Sequence, residues 1–477
     1  WRGALREKLG LPDDARIVIN VGYGDLRKGF DLFLELARRV CSERTDTHFV
    51  WLGHLHPDLE TWLGVDALES PLRDHLHLVP FDKDVAPYLN AADVMALTSR
   101  EDPYPSTVME ALASGIPVVA FDGGGGYVEA VRRHAVNGSV VPMADVAAMA
   151  AQVQSWLEGD DEDQQKTRSR KAIDEYSWRD YVFGLLHLID PGLKKVSVVV
   201  PNYNYARYLP ERLASILEQS LPIYELIVLD DKSPDNSVEV IRDVLEVCGR
   251  EAQVVVNRKN SGSVFRQWEK GASLARGDYL WIAEADDLAS CTFLDDVLKE
   301  FDDATALGFS DSAQIDQDGK RIGDSYSFYY EDLPSNPLSA GGRIGGSAFV
   351  DQALAIKNVI LNVSAVVFRR QSLLAAFERD QGEVMEYRVA GDWRLYGELL
   401  RQDGVNVAYS PSPGNVHRRH SVSVTHALNH DRHLPEIERV QNYLKLSFDL
   451  SPTCQAEAAR YLDSVSRQMK GVPADAQ

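Results

Sequence analysis

Short apolar runs alternate with amphipathic stretches through the first part of the chain. ARIVINVGYG reads as a strand running into the loop DLRKG, and FDLFLELARRV as an amphipathic helix. HFVWLG, HLHLVPF and VMALTS read as further strands, TVMEALASG as a helix, and IPVVAFDGGGG as the strand after it. This alternation predicts a parallel, doubly wound α/β sheet. Sites in such sheets lie beyond the carboxyl ends of the strands, where residues 22–28, Asp102 and residues 123–126 fall.

The charged run at 158–171 predicts a solvated loop or an exposed helix, and SWRDYVFGLLHLI a helix closing the first domain. Asp190-Pro191-Gly192 carries turn chemistry, which places a boundary near 192. Alternation then resumes. VSVVVPNYN, YELIVLDD and AQVVVN read as strands, with helices from about Pro210, over SPDNSVEVIRDVLEVC (Ser233 and Pro234 at its start), and within NSGSVFRQWEKGASLARG. That last helix feeds the strand YLWIA, which ends in Glu284, Asp286 and Asp287. GFSDSAQIDQDGKRIG predicts a hairpin turning at Asp318-Gly319, NVSAVVFRR a buried strand, and GDWRLYGELL an amphipathic helix. In the tail, Ile437, Val440, Leu444 and Phe448 share one helical face, which fits a cover on the second sheet, a contact to the first domain or a dimer contact. The ends of the tail read as frayed. The expected segments are 1–192, 193–426 and 427–477.

Composition narrows the picture. A length of 477 suggests about three domain-sized units. The formal charge of −22 argues against a nucleic-acid partner, whose phosphates need basic surface. Cys41, Cys248, Cys291 and Cys454 have neither zinc-site nor disulfide spacing, which fits a reducing compartment. No apolar run approaches the roughly eighteen residues of a membrane span. The chain opens on Trp1, not Met, which suggests a piece of a longer protein.

Candidate chemistry centres on the acidic turn. Unpaired carboxylates crowded at a strand end repel one another, and a hard divalent cation removes that cost. The competing reading is an acidic cap on a helix at Leu288. The four strands of the second sheet deliver Tyr203, Asp231, Asn260 and Asp286 to one edge. Asp231 can accept from an imide N–H of a base and Tyr203 can stack on it; a helix cap and a core aromatic are the alternatives. Asp392 is either an N-cap or a general base. The cations of His417–His420 either face the acidic site, with Arg418 on a diphosphate and His420 on the metal, or form a surface loop. In the first segment Lys28 could meet a diphosphate or be a surface lysine. Glu110 closes a Thr107-Val-Met-Glu110 capping box, and residues 123–126 are either a phosphate cradle or a flexible turn.

From Arg16 to Trp178 the motifs VGYGDLRKGFDLFLELA, SREDPYPSTVMEALASGIPVVAFDGGGGYVEAV and NGSVVPMAD resemble the donor-binding half of a family 4 glycosyltransferase of GT-B fold. The resemblance implies Lys28 on the diphosphate, Glu110 on the donor ribose and Asp102 near the transferred sugar. The chain departs from the family at Tyr23, usually Arg, and at Asp102, usually Glu. The acceptor-binding half that would complete such a site is outside these residues, so the segment is expected to be a dependent donor half or a degenerate one.

VPNYNYARYL, IVLDDKSPDNS, NSGSVFRQWEKGASLARGDYLWIAEADD, NVSAVVFRR, GDWRLYGELL and HRRHSVSVTH resemble a family 2 glycosyltransferase of GT-A fold. This implies inverting, metal-dependent transfer from a UDP- or dTDP-sugar to a glycan or lipid-linked glycan hydroxyl. It also implies a cytoplasmic enzyme, compatible with peripheral association at the inner face of the plasma membrane. The donor set would be Pro201, Tyr203, Asp231, Asn260, Asp286 and Arg418, with Asp392 as base. Mn²⁺ or Mg²⁺ would sit on Glu284, Asp286, Asp287 and His420, Asp286 being the central ligand. Glu284 stands where the family usually has Asp. A sugar-nucleotide or carbohydrate-binding scaffold without turnover is the rival reading, chiefly for 1–192. A nucleotidyltransferase is a third, but VPNYNYARY offers no glycine- and lysine-rich phosphate loop.

Overall fold

The computed structural model describes residues 2–59, 72–133, 135–159, 162–420 and 430–469. The chain divides into two compact units, Trp1–Leu185 and Leu186–Gln477.

In the first unit, β1 (Arg16–Val21), β2 (Thr47–Leu52), β3 (Leu76–Val79), β4 (Val94–Leu97), β5 (Val118–Phe121) and β6 (Gly138–Val141) form one parallel sheet in the order 3-2-1-4-5-6. The inner strands β1, β2, β4 and β5 carry almost uninterrupted apolar side chains because helices cover both faces of the sheet. Helix Phe30–Glu43 buries Phe33, Leu36, Ala37 and Val40 against it. The charged run at 158–171 is not simply solvated. It forms most of helix Glu162–Glu175, which turns Arg168 fully inward to donate from Nε to the Gly115 carbonyl at 2.7 Å. The capping box is not formed: helix Ser106–Ala113 has Pro105 as its cap residue and no side-chain cap hydrogen bond.

The second unit holds β7 (Val196–Asn202), β8 (Glu225–Asp230), β9 (Gln253–Val256), β10 (Tyr279–Ile282), β11 (Leu288–Ala289), β12 (Thr305–Asp316), β13 (Arg321–Gly323), β14 (Gly342–Gly345), β15 (Val366–Arg369) and β16 (Asn406–Arg419). The sheet runs 11-16-12-15-10-7-8-9, with β10, β7, β8 and β9 mutually parallel. β12 and β13 form the expected hairpin, with Gly319 at φ +86° in its turn. The helix after β8 starts later than its sequence suggests, at Ser237 behind Asn236. Ser233 instead donates to Asp230 at 2.6 Å and accepts from Asn202 at 3.1 Å, so it braces the strand ends.

The tail belongs to this unit's core. Helices His430–Ser447 and Pro452–Met469 bury Ile437, Val440, Leu444 and Cys454 in the same cluster as Leu280, Trp393 and Leu395. Of the motif HRRHSVSVTH, residues 421–426 lie outside the described residues, as do the final residues 470–477. Among the described residues no helix is long and apolar enough to cross a membrane.

Candidate active site

Because β7, β8, β9 and β10 run parallel, the residues just past their carboxyl ends meet at one edge. There they line a cavity of about 620 Å³ that takes in Pro201, Tyr203, Asp231, Asn260, Glu284 and Asp286. Asp392 reaches the same cavity from helix Gly391–Leu400, and Asn362, Arg388 and His417 complete its walls.

Leu288–Ala289 pairs with β16 as a strand, so no helix starts at Leu288 for the acidic turn to cap. Glu284, Asp286 and Asp287 each bring an oxygen to within 4.8 Å of the others. Their environments differ. Asp287 is buried, and its two oxygens accept from Asn362 Nδ2 and from the Arg418 backbone N–H, each at 2.8 Å. Asp286 Oδ2 lies 2.8 Å from His420 Nε2, and that bond raises the histidine's pKa. The His420 ring sits 6.0 Å from Tyr205 and 5.6 Å from Tyr208. Glu284 faces the cavity. Burial, then the charges of Asp286, Asp287 and Asp392, push its carboxyl well above the usual range. An all-oxygen cluster holding a carboxyl so costly to ionise fits a hard divalent cation, with Glu284 and Asp286 the more available ligands.

Two cations escape or contradict the sequence reading. Arg418 does not line the cavity. Its guanidinium lies over the Tyr208 ring and donates to the Asp286 carbonyl at 2.7 Å, the Asp316 carbonyl at 3.3 Å and Glu211 at 3.2 Å. The side chain is a clamp between the acidic turn and β16, too fully engaged and buried to reach the cavity. Arg212, unremarkable in the sequence, is wholly buried over the Trp281 ring, 4.9 Å from its centroid. Its guanidinium nitrogens have no hydrogen bond among the described residues. Burial pulls its pKa down to about 10 against the opposing pull of Asp287, Asp286 and Glu284, so it is an internal counter-charge to the acidic turn.

Asp231 is more occupied than a free base-reading carboxylate. It accepts from Asn257 Nδ2 at 2.6 Å, from the Ser261 N–H at 2.9 and 3.0 Å, and from Ser261 Oγ at 2.6 Å. It thereby fixes the turn that carries Asn260, while Tyr203 beside it is 47% exposed and presents an open ring. Asp392 is not an N-cap. The cap position is Ala390, and Asp392 is the second residue of the helix. Its carboxylate accepts from Asn358 Nδ2 at 3.1 Å and from the next N–H at 2.7 Å. Burial raises its pKa from 3.8 to about 6.

In the first unit Lys28, Asp102 and the glycine run come together, and Glu110 stands apart from these contacts. Lys28 Nζ pairs directly with the buried Asp102 carboxylate, joining the loops after β1 and β4. Glu110 is exposed. The glycine run is a close packing contact and not a flexible turn. The Gly124 carbonyl accepts from the Asp102 N–H at 2.7 Å, and a Cβ on Gly125 would stand 1.8 Å from the Asp102 carbonyl oxygen.

Comparison with known proteins divides the chain at the same place. Residues 2–175 match the family "Glycosyl transferases group 1" and residues 197–358 match "Glycosyl transferase family 2". Glycosyltransferase GlyG of Streptococcus pneumoniae is 32% identical over 111 residues, 23% of this chain and 36% of that protein. The putative teichuronic acid biosynthesis glycosyltransferase TuaG of Bacillus subtilis is 29% identical over 148 residues, 30% of this chain and 58% of that protein. The chain therefore spans less than two thirds of either relative. A crystal structure of S. aureus TarS 1–349 in complex with UDP aligns at 16% identity and a TM-score of 0.40, over 58% of this chain and 72% of that one.

Proposed function

The chain joins a group 1 glycosyltransferase segment to a family 2 glycosyltransferase segment, and from that premise we propose that its second unit is a metal-dependent, inverting transferase. The donor is a UDP- or dTDP-sugar and the acceptor a hydroxyl of a glycan or lipid-linked glycan, in a surface polysaccharide of the kind named for the relative TuaG. The observation that carries this reading is the single cavity lined by Tyr203, Asp231, Asn260, Glu284, Asp286 and Asp392.

Tyr203 takes the base on its ring, and Asp231 holds the turn from which Asn260 reaches the nucleoside. Glu284, Asp286 and Asp287 would hold Mn²⁺ or Mg²⁺, which would supply positive charge against that of the departing diphosphate. Arg388, on the cavity wall, adds a positive charge on the side of Asp392. Asp392 accepts the proton of the acceptor hydroxyl as its oxygen bonds to the anomeric carbon and the bond to the diphosphate breaks. One proton moves to Asp392, the nucleoside diphosphate leaves with its electron pair, and the anomeric centre inverts. A carboxylate whose pKa is raised to about 6 is a stronger base than an exposed one and still ionised at neutral pH. In the first unit Asp102 already engages Lys28, the residue that the resemblance puts on a diphosphate, which favours a scaffold role without turnover for residues 1–192.

Calorimetry with UDP tests the core of the reading. Binding is expected with Mn²⁺, to weaken at least about tenfold in EDTA, and to be lost in Asp286→Ala. Unchanged binding in Asp286→Ala removes the metal site from the mechanism.

A further inference from the structure

The segment that enters the Asp392 helix directs three consecutive backbone N–H groups at one side chain. The N–H of Arg388 meets Glu436 Oε1 at 2.9 Å and Oε2 at 3.2 Å. Those of Val389 and Ala390 meet Oε2 at 2.9 and 3.0 Å. Glu436 belongs to the tail helix His430–Ser447, outside every motif that marks the cavity. The cap residue Ala390 has no side-chain acceptor of its own, and a carboxylate has the right charge for a helix N-terminus.

The carboxylate is itself held. Ile437 and Val440 are buried in the core beside Trp393 and Leu395. Gln441 Nε2 donates to the Ile356 carbonyl at 2.9 Å. What Glu436 grips lies against the cavity: Arg388 and Val389 line it, and Asp392 follows two residues after Ala390. Arg388 also donates from Nη1 to the Gly262 carbonyl at 2.6 Å, which ties the gripped segment to the turn held by Asp231.

We propose that Glu436 is a positioning residue for transfer. By fixing the backbone at 388–390 from the tail, it sets the reach of Asp392. This rests on the reading of Asp392 as base. Misplacing a reacting group by about an ångström costs up to about a hundredfold in rate, which is the scale of effect at stake.

The test uses the full chain and a donor that the wild type hydrolyses, chosen from a panel of UDP- and dTDP-sugars with Mn²⁺. Glu436→Ala is expected to lower kcat about ten- to a hundredfold while UDP affinity and stoichiometry stay within twofold. Glu436→Gln keeps one carbonyl oxygen for Val389 and Ala390 and is expected to recover most of the rate. Amide exchange at Val389 and Ala390 should quicken in the Ala variant and stay slow in the Gln variant. Wild-type kcat in Glu436→Ala overturns the proposal, as does loss of kcat together with UDP binding in both variants. Wild-type turnover in Asp392→Asn, or no donor hydrolysed by the wild type, sinks the assignment of the base instead. An inactive Asp392→Asn beside a fully active Glu436→Ala sinks only the role of Glu436.

Discussion

At Asp392, the burial that suits it to the proposed role of base also makes it a burden on the fold. Its pKa, raised from 3.8 to about 6, means the folded chain holds that proton more tightly than the unfolded chain. Stability from this group is therefore gained as pH falls from about 6 towards 3.8 and is forfeited at neutrality, where the buried carboxylate is charged. Asp392→Asn should keep UDP binding, lose turnover, and raise stability at pH 7 by roughly 1–2 kcal/mol, less than the full shift because the cavity admits solvent. The gain should vanish near pH 4, a crossing that melting curves at the two pH values will show. In the wild type, turnover should fall about tenfold per pH unit below about pH 6. Residue chemistry was legible where type and place coincide: three carboxylates after an apolar strand announce themselves. It was illegible where a side chain's direction decides. Arg418 looks like a diphosphate ligand in HRRH, yet its neighbours in space, Tyr208 and Glu211, come from a distant helix. Glu436 grips backbone N–H groups, which every non-proline residue carries and no motif can mark.

At the scale of elements, hydrophobic period marks most strands and helices but not where the helices start. Ser233 and Thr107 have the right side chains for caps, but tertiary partners claim Ser233, and the helix at Ser106 begins behind Pro105. The glycine run in the first unit read as either a cradle or a flexible turn because spacing cannot report what stands opposite a glycine. What stands there is backbone. Gly125→Ala should destabilise the first unit by about 1–3 kcal/mol, since its Cβ would meet the Asp102 carbonyl oxygen at 1.8 Å and neither chain can yield cheaply. Urea unfolding should show the loss in the first unit's transition, with UDP binding by the second unlike it in being unchanged.

For the whole molecule, the segments 1–192, 193–426 and 427–477 make unequal proposals. Every residue of the second unit's cavity lies after 192, so a chain of residues 193–477 should bind UDP with Mn²⁺ within about threefold of the full chain. A chain of 193–426 should fail to fold, because Ile437, Val440 and Leu444 complete its core. Circular dichroism and calorimetry on the two pieces separate these outcomes. The clamp between the acidic turn and β16 has a temporal consequence. Asp286 waits 134 positions for His420, and Glu211 waits 207 for Arg418. During synthesis these early acids stand without their distant mates until the end of β16 has emerged, and such remote closures form slowly. A chain stalled before β16 lacks the partners of Asp286 and Glu211 and also the tail residues that complete the core, so affinity for Mn²⁺ should appear in a refolding chain only after both have joined the fold.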